Sequence, residues 1–186
     1  MKAIDKPGCT DSTACNYDSE AKTNDDSCEF YDDDGYHCGD MQVLQDIIDI
    51  NESFSGLEPL DLGAYFDSSG RLTEFLLERD RALSEGVISY TDDFVNYLPQ
   101  SIGNLTELKN VSLQETDLTS IPETFGDLIN LRDIYIRNNY QLTTLPSSLC
   151  NIPNPRIFIV SGNCLSEEYH YDCIIGWGTQ NNDNCD

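Results

Sequence analysis

Residues 98–146, LPQSIGNLTELKNVSLQETDLTSIPETFGDLINLRDIYIRNNYQLTTLP, write one pattern twice. Leu98-Pro99, Ile121-Pro122 and Leu145-Pro146 are equivalent points, each followed by a mixed apolar and polar run and then by apolar residues spaced L-x-x-L-x-L. Leu108, Val111 and Leu113 fill that form first, and Leu131, Ile134 and Ile136 fill it again 23 residues later. Such a period is too short for an independent domain and has the length of a stacked structural unit. Val111 and Leu113 are two apart and share one side of an extended strand, so they face the core while the residues between them face out.

The L-x-x-L-x-L form at this period resembles the leucine-rich repeat. The resemblance implies an α/β fold: a short right-handed leucine-rich repeat solenoid with disulfide-stapled N- and C-terminal caps, parallel strands on its concave side and 3₁₀ or extended segments on its convex side. Asn139 and Asn163 stand at that family's asparagine position, where an amide bonds turn backbone otherwise unpaired. Thr116 and Asp80 hold the equivalent places without an amide, and their turns are expected to be less regular.

Outward from this stretch, strand starts fall at Leu72, Leu108, Leu131 and Pro155, at intervals of 36, 23 and 24 residues. The surplus of thirteen in the first interval lies in residues 81–97, RALSEGVISYTDDFVNY, read as an insertion. Loops on a rigid scaffold carry recognition, which makes Tyr90, Phe94 and Tyr97, with Asp92 and Asp93, candidates; the alternative is a hairpin that covers an edge. Upstream, DMQVLQDIIDI at 40–50 places Met41, Val43, Leu44, Ile47, Ile48 and Ile50 on a broad helical face, with Asp40 as N-cap. Residues 57–62 are read as an irregular first strand. A helix, a spacer and Gly70-Arg71-Leu72-Thr73 resemble in layout the N-terminal caps of extracellular plant-type leucine-rich repeat proteins, although the usual tryptophan and cysteine pair is missing. Downstream, Tyr169, Ile174, Ile175 and Trp177 are expected to cover the last aliphatic turn. The division is therefore 1–39 acidic Cys-rich module, 40–70 helical cap, 71–163 repeats and 164–186 C-terminal cap, with 1–6 and 181–186 frayed.

With 34 acidic and 10 basic residues in 186, the net charge of -24 repels nucleic acid and anionic membrane. No run of about 18 apolar residues exists for membrane insertion. Eight cysteines form two sets of four, at residues 9–38 and 150–185, with none between. Even sets and the absence of any C-x-x-C favour disulfides in an oxidising compartment over zinc, and hence a secreted or cell-surface protein whose signal segment has been removed. Each set allows three pairings. We expect Cys9 with Cys28 and Cys15 with Cys38, and leave Cys150, Cys164, Cys173 and Cys185 open.

Residues 8–28, GCTDSTACNYDSEAKTNDDSC, resemble a small Cys-rich repeat of bacterial surface proteins, G-C-T-D-x-x-A-x-N-Y, which implies an extracellular accessory module. Eleven acidic residues in the first forty suggest calcium, since Ca²⁺ takes six to eight hard oxygen ligands. Asp32, Asp34 and Gly35 fit three places of an EF-hand loop, but Phe30 and Met41 occupy its first and last. A looser site using Asp32 and Asp34 with Asp25 or Asp26 competes with a solvated acidic surface, and no cofactor is required.

The outward positions of successive strands form columns: Thr73, Lys109, Arg132, Arg156; Glu74, Asn110, Asp133, Ile157; Leu76, Ser112, Tyr135, Ile159; Glu78, Gln114, Arg137, Ser161; and Arg79, Glu115, Asn138, Gly162. Five basic residues stand there against four acidic on an otherwise very acidic chain. Leu76, Tyr135 and Ile159 add an apolar stripe, with Tyr135 as anchor. The expected function is non-catalytic recognition or adhesion, binding a protein or glycan on this face through Leu76, Arg79, Lys109, Arg132, Tyr135, Arg137, Arg156 and Ile159. The alternative is a structural display or spacer module, calcium-stabilised or not. Catalysis is not expected: His37 and His170 are the two histidines, both in caps, and the dense group Glu167, Glu168, His170 and Asp172 reads as surface hydrogen bonding. Asn51, Asn104 and Asn110 open formal glycosylation sequons; a glycan at Asn110 would block the outward face, so that site is expected unused or the host bacterial.

Overall fold

Proline sets the entry to three short turns. In the computed structural model, which describes residues 6–79, 95–180 and 185, the 3₁₀ turns Gln100–Asn104, Glu123–Asp127 and Ser147–Asn151 each follow a proline. Pro99, Pro122 and Pro146 have φ of -72, -70 and -72°, the value the ring imposes, so each turn starts in the same direction. Ile102, Phe125 and Leu149 point from the turns into one core. The turns stack closely because of Gly103 and Gly126, where a Cβ would lie 2.6 Å from the Thr124 carbonyl oxygen and 2.2 Å from that of Ser148.

Across the core from these turns lie the strands β3 (Ala64–Phe66), β4 (Leu72–Glu78), β5 (Asn110–Gln114), β6 (Asp133–Arg137) and β7 (Ile157–Ile159), hydrogen-bonded in that order. β3 and β4 are antiparallel, and β4 to β7 are parallel. Phe75, Val111, Ile134 and Phe158 share one inward row, and Leu77, Leu113 and Ile136 the next; all are buried. The two-residue strands β1 (Pro7–Gly8) and β2 (Thr23–Asn24) make a separate parallel pair, and Cys38–Ile50 form the α-helix α1.

This corrects the expected fold class. The described residues form not an α/β leucine-rich repeat solenoid but a helix and two small sheets closed by four disulfides, and the main sheet is of mixed direction. Periodic spacing identifies neighbours that pack, but it does not dictate a superhelix. The chain enters the sheet through an antiparallel edge, the interval between β4 and β5 breaks the period, and α1 shares the same core. Residues 57–62 are not a first strand either: they hold the 3₁₀ turn Pro59–Asp61, closed by the Glu58 N–H donating to Asp61 Oδ2 at 2.9 Å, and the strand begins at Ala64.

The helix also starts earlier than its apolar face suggested. His37, not Asp40, is the N-cap; its Nδ1 accepts the Asp40 N–H at 3.3 Å. Asp40 is 1% exposed and faces the sheet, accepting from Arg71 Nε at 2.9 Å, Arg71 Nη2 at 3.1 Å and the Leu72 N–H at 2.8 Å. Burying one charge against a two-pronged guanidinium ties the helix start to the first residue of β4; removing either partner would leave the other ion uncompensated.

Two buried asparagines link the turns that follow the strands. Asn139 Oδ1 accepts the Thr116 N–H at 2.9 Å, its Nδ2 donates to the Leu113 carbonyl at 3.0 Å, and its own N–H donates to Asn163 Oδ1 at 2.9 Å. Asn163 Nδ2 donates to the Ile136 and Val160 carbonyls at 2.8 and 2.6 Å. Thr116 lacks an amide yet joins this ladder through its own N–H and hydroxyl, both donated to Asn139. Asp80 lies outside the described residues.

Disulfides close both ends. Cys9 is bonded to Cys28 and Cys15 to Cys38; Cys150 is bonded to Cys173 and Cys164 to Cys185. At the last strand, Gly176 donates to the Phe158 carbonyl at 2.7 Å and accepts from the Val160 N–H at 2.9 Å, which covers that sheet edge. Ile174 is buried, and Tyr169 and Trp177 pack against the core as expected of the cap, but Ile175 points to solvent at 62% exposure. Two residues expected to fray are tied down: Lys6 pairs with Asp18 at 2.7 Å, and Cys185 is in its disulfide.

Candidate functional site

Strand pairing lines up the outward side chains. Glu74, Asn110, Asp133 and Ile157 form one row, Leu76, Ser112, Tyr135 and Ile159 the next, and Glu78, Gln114 and Arg137 a third. Ahead of them, Lys109 donates to Thr73, Arg132 to Lys109 and Arg156 to Arg132, N–H to carbonyl, at 2.9, 2.8 and 2.7 Å. One exposed sheet face therefore carries Leu76, Lys109, Arg132, Tyr135, Arg137, Arg156 and Ile159 together, and Arg79 follows directly after β4.

The cations on this face fall into two sets. Arg156 forks onto Asp133, with Nε 2.9 Å from Oδ1 and Nη2 on Oδ2, and these hydrogen bonds raise its already high pKa. Arg79 pairs with Asp117, a residue outside the outward columns, and its Nε donates to the Glu115 carbonyl at 3.0 Å. Lys109, Arg132 and Arg137 make no ion pair among the described residues. Arg132 is exposed, Lys109 and Arg137 are half-buried, and Arg137 Nε is cut off from solvent without a hydrogen-bond partner among the described residues.

Acidic and amide groups on the face are occupied with one another. Glu78 Oε1 accepts from Gln114 Nε2 at 2.9 Å and from the Ser112 hydroxyl, while Glu74 Oε1 accepts from Asn110 Nδ2 at 3.1 Å. Tyr135 and Ile159 are half-buried side by side, with Leu76 in the same row beyond the nearly buried Ser112. The face thus offers an aromatic and aliphatic strip bordered by guanidinium and ammonium groups, able to take apolar or planar surface and acceptor oxygens together.

Within residues 81–97, the described residues are Val95, Asn96 and Tyr97. Tyr90 and Phe94 lie outside the described residues, as do Asp92 and Asp93. Tyr97 is 52% exposed, and its backbone is held by Asn51: the Tyr97 N–H donates to Oδ1 at 3.1 Å, and Nδ2 donates to the Tyr97 carbonyl at 3.0 Å. In the sequence Asn51 stands out only as a sequon; its position directly after an apolar helical face is the one hint of the burial seen here.

In the acidic module, Asp32 Oδ1 accepts the N–H groups of Asp34 and Tyr36 at 3.1 and 2.8 Å, shaping a turn, and Asp34 is exposed. No group of three or more His, Cys, Asp or Glu side chains suited to a metal ion occurs among the described residues. His37 is pushed below its ordinary pKa chiefly by burial, against the opposing pull of Asp40. His170 Nδ1 lies 3.7 Å from Glu167 Oε2, and the ring stacks on Trp177 with centroids 4.7 Å apart. Burial raises the Tyr171 phenol, whose hydroxyl donates to the Leu145 carbonyl at 2.9 Å. Two grooves, of 490 and 340 Å³, run along α1; the first is lined by Asp49, Glu52 and neutral groups, and the second by neutral groups beside the Cys15–Cys38 bond.

No protein-family model, curated protein or solved structure matches the chain. No helix among the described residues is long and apolar enough to cross a membrane.

Proposed function

We propose that the chain is a non-catalytic extracellular recognition module that binds a protein or glycan on the exposed face of β4 to β7. The observation that carries this reading is Arg137, a guanidinium at the end of β6 on this face whose desolvated Nε has no partner among the described residues. A buried donor left unsatisfied costs about 1–3 kcal/mol, which the half-buried side chain would recover by turning outward onto a ligand acceptor oxygen. Tyr135 in the neighbouring row adds a half-exposed ring of the kind that anchors interfaces, and Arg132 and Lys109 extend the positive border. Four disulfides fit the oxidising compartment such a module works in. This reading does not require calcium: Asp32 Oδ1 serves its turn by accepting the Asp34 and Tyr36 N–H groups.

The test is binding of the immobilised chain to glycan and extracellular-protein panels, followed by Tyr135→Ala and Arg132→Ala. Loss of an anchor is expected to cost about 2 kcal/mol or more, roughly 30-fold in Kd, with the melting temperature unchanged. Binding that survives both substitutions would move the chain to the spacer reading, in which the face only displays its neighbours.

A further inference from the structure

Three asparagines stand in the pattern that accepts an N-linked oligosaccharide, Asn51-Glu52-Ser53, Asn104-Leu105-Thr106 and Asn110-Val111-Ser112, and the fold treats them differently. Asn51 is 3% exposed. Its Oδ1 accepts from the N–H groups of Asn96 and Tyr97 at 2.9 and 3.1 Å, and its Nδ2 donates to the Ile47 and Tyr97 carbonyls at 2.8 and 3.0 Å. A sugar on that nitrogen would break the bonds that hold residues 47 and 97 to it. Asn110 sits in β5 between β4 and β6, with Nδ2 on Glu74 at 3.1 Å and with Val111 and Ser112 buried.

Asn104 is placed in the opposite way. It is the last residue of the turn Gln100–Asn104, and the next residue, Leu105, has φ -75° and ψ 60°. The Thr106 N–H donates to the Asn104 carbonyl at 2.8 Å, so the sequon is folded into an inverse γ-turn. Leu105 is 0% exposed and fills the core, which turns the side chains on either side of it outward; Asn104 and Thr106 are both exposed. The Asn104 amide makes no hydrogen bond among the described residues, and the residues that end the next two turns, Asp127 and Asn151, are exposed and polar. Space, solvent and an idle amide nitrogen coincide at this one sequon.

We propose that Asn104 is the chain's N-glycosylation site, carrying an oligosaccharide on the 3₁₀ side of the core, across from the sheet face. The co-reactant is a lipid-diphosphate-linked oligosaccharide of the secretory membrane. The Asn104 nitrogen forms a bond to the anomeric carbon, the bond from that carbon to the phosphate oxygen breaks, the amide gives up one proton and the lipid diphosphate leaves. The assignment rests on passage through a glycosylating secretory compartment and is independent of whether the sheet face binds a ligand.

The full chain is secreted from a eukaryotic cell line, and its peptides are mapped before and after amidase release in heavy-oxygen water, which labels each formerly glycosylated asparagine. The expected result is one oligosaccharide, at Asn104, with Asn51 and Asn110 bare. Thr106→Ala removes it, while Thr106→Ser, Ser53→Ala and Ser112→Ala leave it in place. A bare Asn104 in the secreted wild-type chain, or a sugar on Asn51 or Asn110, overturns the assignment, and the wild-type map decides this whether or not every variant folds.

Discussion

The N-terminal module and the leucine-spaced middle of this chain solve the same problem by different means. Ahead of α1, the buried apolar residues among those described are Cys9 and Ala14; from residue 98 to 165 a continuous core runs through every turn and strand. The module uses covalent and local polar devices instead. Besides its two disulfides, Asp11, Asp18, Asn24, Asp25 and Asp32 each accept the N–H two residues further on, at 2.9 to 3.2 Å. These Asx-type turns give much of the module's acidity a structural role: carboxylates fold a backbone that has no hydrophobic reason to fold. The middle obtains its order from burial, at about 1.5–3 kcal/mol per aliphatic side chain, and uses polar groups only where buried backbone must be satisfied, as at Asn139 and Asn163.

This contrast can be broken from either side. The largest effect is expected at Phe125, a fully buried ring at the centre of the turn stack. Phe125→Ala should cost about 3–5 kcal/mol and lower the denaturant midpoint of the sheet and α1 together, since they share one core. Separate transitions for the helix and the strands would show that the core is not one unit.

Removing Cys9–Cys28 as Cys9→Ser with Cys28→Ser should release about 3 kcal/mol of chain-entropy stabilisation, for a bridge spanning 19 residues. The loss is expected to stay local. Amide exchange should accelerate through residues 7–28 while Val111 and Ile134 keep their protection; a general loss would mean that the module supports the core.

The smallest effect is on pH dependence. Burial holds the folded-state pKa of His37 below its unfolded value of 6.5, so the unfolded chain binds the extra proton first. Stability at the start of α1 is therefore present above that value and declines as pH falls from it towards the folded pKa. Asp11 and Asp25 are held below their ordinary pKa by hydrogen bonds, from the Thr13 N–H and from Ser27, so their contribution is present above 3.8 and declines as pH falls from there towards the folded values. An acid titration followed by amide exchange should loosen the junction near His37 first and the acidic turns at lower pH, with the sheet unaffected. His37→Asn should abolish the first step and leave the second.

How far residues alone reached differs between these regions. In the middle, period-two alternation placed Val111, Leu113, Ile134 and Ile136 inside and set out the outward rows that strand pairing aligns. Asp40 was misread because its position before an apolar run fits a cap, and nothing local signals a guanidinium 31 residues away. For the same reason Asp117 went unnoticed as the partner of Arg79, and Asn51 as the support of residues 96 and 97. Local propensity describes each segment against water, whereas these groups are set by what a distant segment presents to them.

The chain by itself determined which side of each strand is apolar, where proline starts a turn, and that cysteines close both ends, because these follow from side-chain size, backbone restriction and counting. Tertiary structure alone decided that the sheet is mixed rather than a repeat stack, that Asp133 and Asp117 occupy two of the five face cations while Arg137 Nε meets no partner among the described residues, and that one sequon of three stands free in solvent. Those outcomes depend on which distant groups meet in a low-dielectric interior, where a pairing made or missed is worth more than any local preference.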